Sequence, residues 1–298
     1  MKKSTLISSL FVLAALNIFS QNGEFPKLIG PYLGQKPPGM TPEIFAPGFI
    51  SRAGFRDYGI TFSRKGDLIL YTCDPVGSDK HSIYFSSLDD GFWSPPRPIP
   101  FSADHSIGEP VFSPLSDRIY FGQLRANAGG NLEPYVCVTR MTPGGWDDPV
   151  VLFPGLFASE TRDGTLYFTS VTLGGKPTEK SEIARSERVN GRYIEPELLG
   201  VEVNTEFNEF HPFVSPDESY LIFDSDRPGG FGGYDLYVAY KDQTGRWGKA
   251  ANLGREINSD QYEGVATVSL DGQYLFFNRE DDIYWASTKV IDKQRPKS

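Results

Sequence analysis

The chain has 298 residues, 39% hydrophobic and 14% aromatic, which is ample for a packed core and unlike a disordered chain. A formal net charge of −9, with no basic patch to offset it, argues against nucleic acid and anionic membrane surfaces as partners. Thirty-one glycines and 23 prolines without a collagen period point to short strands joined by tight turns.

The first element is a secretory leader. Lys2 and Lys3 form a positive start, and residues 6–19 (LISSLFVLAALNIF) form an apolar stretch too short to cross a bilayer, which takes roughly 20 residues. A signal peptide over 1–21, cleaved near residues 20–22, leaves a single domain over 22–298 in the periplasm or outside the cell. No membrane insertion is expected after cleavage, and the mature chain is expected to be a monomer. Next comes residues 42–47 (PEIFAP), similar to residues 148–154 (DPVVLFP), an outer strand of the second repeat.

From there the chain repeats at intervals of about fifty residues, the dimension of a propeller blade. Five segments share a polar turn followed by an alternating strand that closes on an aromatic. They are residues 62–71 (FSRKGDLILY), 112–121 (FSPLSDRIYF), 160–168 (ETRDGTLYF), 214–223 (VSPDESYLIF) and 268–277 (VSLDGQYLFF). Short Ser-Pro-Asp or Asp-Gly turns mark each as the hairpin of the first two strands. A third strand opens polar–apolar–aromatic, as in Ser82-Ile83-Tyr84 and Asp235-Leu236-Tyr237. A fourth follows a Gly and a large aromatic: Trp93, Trp146, Tyr193 or Trp247. The repeats span about 53–103, 104–155, 156–205, 206–259 and 260–288.

The fifth repeat lacks an outer strand, and residues 42–50 are expected to supply it and close the ring, since an open ring would leave unpaired strand edges. The fold class is therefore all-β: a five-bladed β-propeller with four antiparallel strands per blade, six blades being the alternative. The tryptophans are read as inter-blade packing. Cys73 and Cys137 could bridge in an exported protein, two buried free thiols being the other reading. Two thiols and three histidines are too few for a closed zinc site.

Residues 211–239 (HPFVSPDESYLIFDSDRPGGFGGYDLYVA), with Trp247 and Asn252-Leu253-Gly254 behind them, resemble the TolB-type, WD-like propeller repeat of exported bacterial proteins. Residues 268–287 match it too, and the match weakens through the first three repeats. The resemblance implies a propeller, an envelope location and binding to proteins or glycans, often beside a separate peptidoglycan-binding domain. No such extra domain is expected here.

In a propeller the loops leading into the first strand share a face with those between strands two and three. The latter are long and variable here (73–81, 123–132, 171–180 and 224–233), so function is expected on that face. The positions leading into the inner strands are polar: Asp57, Glu109, Glu160, Glu209 with His211, and Glu263. Converging on one axis, they would form an acidic funnel, with Arg227 and Arg279 as further ligand contacts. The preferred reading is a non-catalytic binding or scaffolding module for a glycan or an envelope protein. The alternatives are a glycoside hydrolase or polysaccharide lyase, and a structural subunit of an envelope complex. For an enzyme, Glu209 and His211, two apart on one strand, would be the acid–base candidates with Glu263. No cofactor is expected. Asp224, Asp226 and Asp235 are a weak calcium candidate, lacking the glycine and terminal glutamate of the helix–loop–helix site.

Overall fold

A computed structural model describes residues 25–126, 130–142, 145–173 and 176–296. The leader at 1–21 lies outside these residues. Five antiparallel sheets form a ring, a five-bladed β-propeller. The inner strands are Phe55–Phe62, Ser106–Phe112, Leu156–Glu160, Glu209–Val214 and Glu263–Val268. Each packs against the next, and the fifth packs back on the first. Second strands run Leu68–Pro75, Arg118–Ala126, Leu166–Leu173, Tyr220–Ser225 and Tyr274–Arg279. Third strands are Ile83–Asp89, Leu132–Thr142, Lys176–Ser186, Asp235–Tyr240 and Asp282–Ser287. Outer strands are short, and in blade one the layer is split between Phe92–Trp93 and Arg97–Pro98.

The ring closes as the sequence implies. Glu43–Ile44 pairs with the third strand of blade five, Glu43 opposite Trp285 and Ile44 opposite Tyr284. Phe45 is fully buried behind this pairing, edge-on to Phe62, Phe276 and Trp285. The blades are stitched by one recurring contact. Ser102, Asn204 and Asn258 each bond a backbone group of the third strand in the blade before them, at Ile83, Ile183 and Leu236, and Ser51 does the same at Ile283. Trp146 packs on Phe85 and Phe101 of blade one, and Trp247 on Tyr167 of blade three. Cys73 and Cys137 are buried free thiols. Among the described residues no helix is long and apolar enough to cross a membrane.

Every inner strand carries a bulge, where its register against the second strand slips. At the bulge one residue has positive φ: Gly59, Glu109, Phe157, His211 and Val265. For non-glycine residues this conformation costs roughly 1–2 kcal/mol. Hydrogen bonds across blades offset part of it. The Glu109 N–H donates to Thr72 Oγ1 at 2.7 Å, the His211 N–H to Thr169 Oγ1 at 2.9 Å, and the Val265 N–H to Asp224 Oδ1 at 3.3 Å. The bulge residues meet at the axis. A Cβ on Gly59 would lie 3.1 Å from Glu109 Cα and 3.3 Å from Val265 Cγ1, so a side chain there would press on both neighbours, and glycine relieves the crowding at this left-handed φ.

Candidate functional site at the loop-face centre

The structure divides the sequence-picked residues into three groups. Glu209 and Glu263 start their inner strands and Asp57 is the third residue of its own; all three are fully buried and turn into their own blades. Glu209 accepts from the Thr205 N–H at 3.0 Å and hydroxyl at 2.6 Å, from Ser225 Oγ, and from Arg227 Nη2 at 2.9 Å. Glu263 repeats the device, accepting from Ser259 and from Arg279 Nε at 2.7 Å. Arg227 and Arg279 each send a second donor to a backbone carbonyl, Val203 and Ile257, and each lies over two aromatic rings. Both arginines are therefore spent inside their blades. A sequence signal for this existed: Asn204-Thr205 precedes Glu209 as Asn258-Ser259 precedes Glu263.

Asp57 has no such arginine on its carboxylate. Its Oδ2 accepts from the Arg52 N–H at 3.2 Å, and Oδ1 is buried without a partner. Burial pushes this carboxyl up to about 7, against the lowering pull of Cys73 and Arg52. Glu160 sits at the opposite end of its strand, paired with Leu166 at the hairpin turn, and accepts from Ser113 Oγ. It does not join the others.

Glu109 and His211 do converge, and with partners that the sequence reading did not assign to them. His211 Nε2 lies 3.2 Å from Glu109 Oε1, and its Nδ1 lies 2.9 Å from Asp224 Oδ1. Burial alone would lower the basicity of this imidazole, but Asp224 and Glu109 outweigh burial and lift it to about 10. His211 is thus a cation clamped between two carboxylates. Tyr262 leans over Asp224 at 3.5 Å, and its ring leaves no room for a Cβ at Gly264, which would meet the phenol oxygen at 2.5 Å.

A second assembly from blade one faces the same glutamate. Asp74 Oδ2 lies 2.8 Å from His81 Nδ1 and accepts from the Tyr58 hydroxyl at 3.1 Å, while its Oδ1 accepts from the Ser82 N–H. The hydrogen bond to Asp74 raises the His81 pKa against burial, with the charges of Asp74 and Glu109 adding to it. Burial, then Asp74 and Glu109, hold the Tyr58 phenol well above its ordinary value, so it remains a donor. Phe210 stacks on His211 and meets Tyr234 edge-on, and Tyr234 meets Tyr262.

The acid–base pairing of Glu209 with His211 is corrected by this geometry. Two residues apart on a regular strand share a face, but the bulge at His211 breaks the alternation. The imidazole goes to the axis and Glu209 goes into the sheet. The three calcium candidates are likewise separated. Asp226 accepts from both nitrogens of Asn208, and Asp235 accepts from Phe231, Gly232 and Asn252, while Asp224 holds His211. Among the described residues no three acidic, histidine or cysteine side chains are grouped to hold a metal ion.

These features define a five-bladed propeller with a carboxylate–imidazolium centre on its long-loop face. No protein-family model and no curated relative matches the sequence. Among solved structures, the chain is similar to the endo-arabinase from Bacteroides thetaiotaomicron, at 18% identity over 79% of this chain and 94% of that one, with a TM-score of 0.53. It is similar to a thermostable family-43 glycoside hydrolase at 13% identity over 78% and 88%, with a TM-score of 0.52. TolB from Acinetobacter baumannii lies further off, at 19% identity over 77% of this chain and 53% of that one, with a TM-score of 0.43. At these identities the likeness is one of fold, and the TolB-type resemblance extends no further than the propeller.

Proposed function

We propose that the protein is an exported binding module whose loop-face centre takes a neutral or cationic glycan. The observation that carries this reading is the position of Glu109. Its side chain is 18% exposed, whereas Asp224 and Asp74 beside it are wholly buried, so Glu109 is the carboxylate a ligand reaches. A carboxylate fixed by an imidazolium, with phenols and the Phe210 ring around it, suits a polyhydroxylated ligand: hydroxyls donate to the acid and a sugar face lies on the aromatics. Arg56 pairs with Asp74 at 3.5 Å, so Asp74, Asp224 and Glu109 stand against Arg56, His81 and His211 near charge balance. The group a ligand reaches is still the Glu109 carboxylate, which disfavours uronates and phosphates. Export rests on the leader at 1–21.

Hydrolysis or lysis of the glycan is the second reading. The endo-arabinase and the glycoside hydrolase of similar fold are named for such activity, so arabinans are sensible first probes. Against it, Glu109 and Asp224 lie on opposite edges of one imidazole rather than across an open cleft. Calorimetric titration of the mature chain with neutral, amino and acidic oligosaccharides tests the proposal. Binding of a neutral or amino sugar, weakened at least tenfold in Glu109→Gln, is expected. Unchanged binding in that variant overturns the site, and new reducing or unsaturated ends overturn the non-catalytic role.

A further inference from the structure

A second binding surface lies away from the axis, between the rims of blades two and three. A groove of about 550 Å³ runs beside the outer strand Val150–Pro154 and the small ribbon of Arg188–Val189 and Arg192–Tyr193. Four arginines line it: Arg118, Arg140, Arg188 and Arg192. None of them makes an ion pair among the described residues. Elsewhere Arg56, Arg185, Arg227, Arg246, Arg279 and Arg295 each find a carboxylate. Arg52, Arg64, Arg97, Arg162 and Arg255 do not but lie outside the groove, so what sets it apart is four such arginines side by side. Asp147 and Asp148 also line the groove and form no ion pair there, so the arginines outnumber the acids. Four unpaired guanidiniums in one groove, on a chain of net charge −9, are the reverse of what the overall composition would place there.

The groove also has an apolar and a backbone component. Val150 is 58% exposed and Val151 37%, both on the outer strand. That strand pairs on one side with Leu132–Thr142 and, among the described residues, with no strand on the other. Arg188 donates through Nε to the Gly191 carbonyl at 3.3 Å, which leaves its two terminal nitrogens available. The charges of Arg118 and Arg188 also reach the Tyr193 phenol at the groove wall, where each opposes the upward push that burial gives it.

We infer that this groove docks an extended acidic peptide segment of a partner protein. The segment would lie along Val150–Pro154 as an added strand. Its carboxylates would meet the guanidiniums, which take carboxylates bidentately, and its apolar side chains would cover Val150 and Val151. The site is separate from the glycan site at the axis, and the two are tested independently.

The experiment is fluorescence anisotropy of the full mature chain with a labelled short peptide of alternating glutamate and valine, beside its lysine–valine counterpart. The expected result is binding of the acidic peptide alone, weakening as salt rises. It should be lost at least tenfold in the double variant Arg188→Glu, Arg192→Glu and unchanged in Glu109→Gln. Arg140→Glu, at an exposed position on a different strand, should weaken it as well, which covers the case that the ribbon variant misfolds. Absence of peptide binding, binding indifferent to all three arginine changes, or tight binding of polygalacturonate here with none of the peptide overturns the proposal.

Discussion

Glu109 and His211 belong to blades two and four, which are not neighbours in the ring, yet their side chains meet at 3.2 Å. Such a contact is open only to residues that reach the axis, and both do so because a bulge places them at positive φ. The pair makes the site a property of the closed ring, with Asp224 anchoring the imidazole from its far side.

The protonation of His211 should therefore be visible in stability. Its pKa is raised from 6.5 to about 10 in the folded chain. A raised value means that the native state holds the proton more tightly, so the contribution is complete below about pH 6.5 and is lost as pH rises through about 10. Denaturant unfolding of wild type against His211→Gln should show the difference narrowing across that window. In Glu109→Gln the imidazole should titrate at lower pH, read by nuclear magnetic resonance of its ring protons.

Glu209 should behave as a structural residue. Removing one partner of a buried, hydrogen-bonded ion pair leaves an uncompensated charge and costs about 3–5 kcal/mol. Glu209→Ala is expected to lower the unfolding free energy by that amount, measured by chemical denaturation. Sugar binding by the fraction that remains folded should persist. Folding at wild-type stability would show that the pair with Arg227 contributes little.

Asp57 carries the opposite signature. Burial raises its carboxyl from 3.8 to about 7, so the ionised form is the one the fold disfavours. Stability relative to Asp57→Asn should fall as pH rises from about 4 to about 7 and level off above. The full span is on the order of 4 kcal/mol. A flat difference across that range would mean that the carboxylate is solvated or paired in solution.

Phe45 tests the closure of the ring. Its ring is fully buried against Phe62, Phe276 and Trp285, so Phe45→Ala should cost about 3–5 kcal/mol. Because Glu43–Ile44 is the outer strand of blade five, hydrogen exchange in the variant should quicken first along Asp282–Ser287. Uniform exchange across all blades would refute a local closure.

The sequence by itself determined the architecture. Blade number, strand order and the N-terminal closing strand all follow from short-range signals: alternation, closing aromatics, Asp-Gly and Ser-Pro-Asp turns, and the likeness of residues 42–47 to 148–154. It also placed Glu109 and His211 near the axis. Only the tertiary structure decided which side chains meet there. A one-residue bulge exchanges the two faces of a strand, so Glu209, Glu263 and Asp57 turn into their blades while Glu109 and His211 turn inward. Asp224 and Asp74 come from second strands and His81 from the loop after one, at sequence distances that no periodicity links. Where strands carry a bulge, polar residues read as one funnel are sorted into structural anchors and a centre by the path of the backbone.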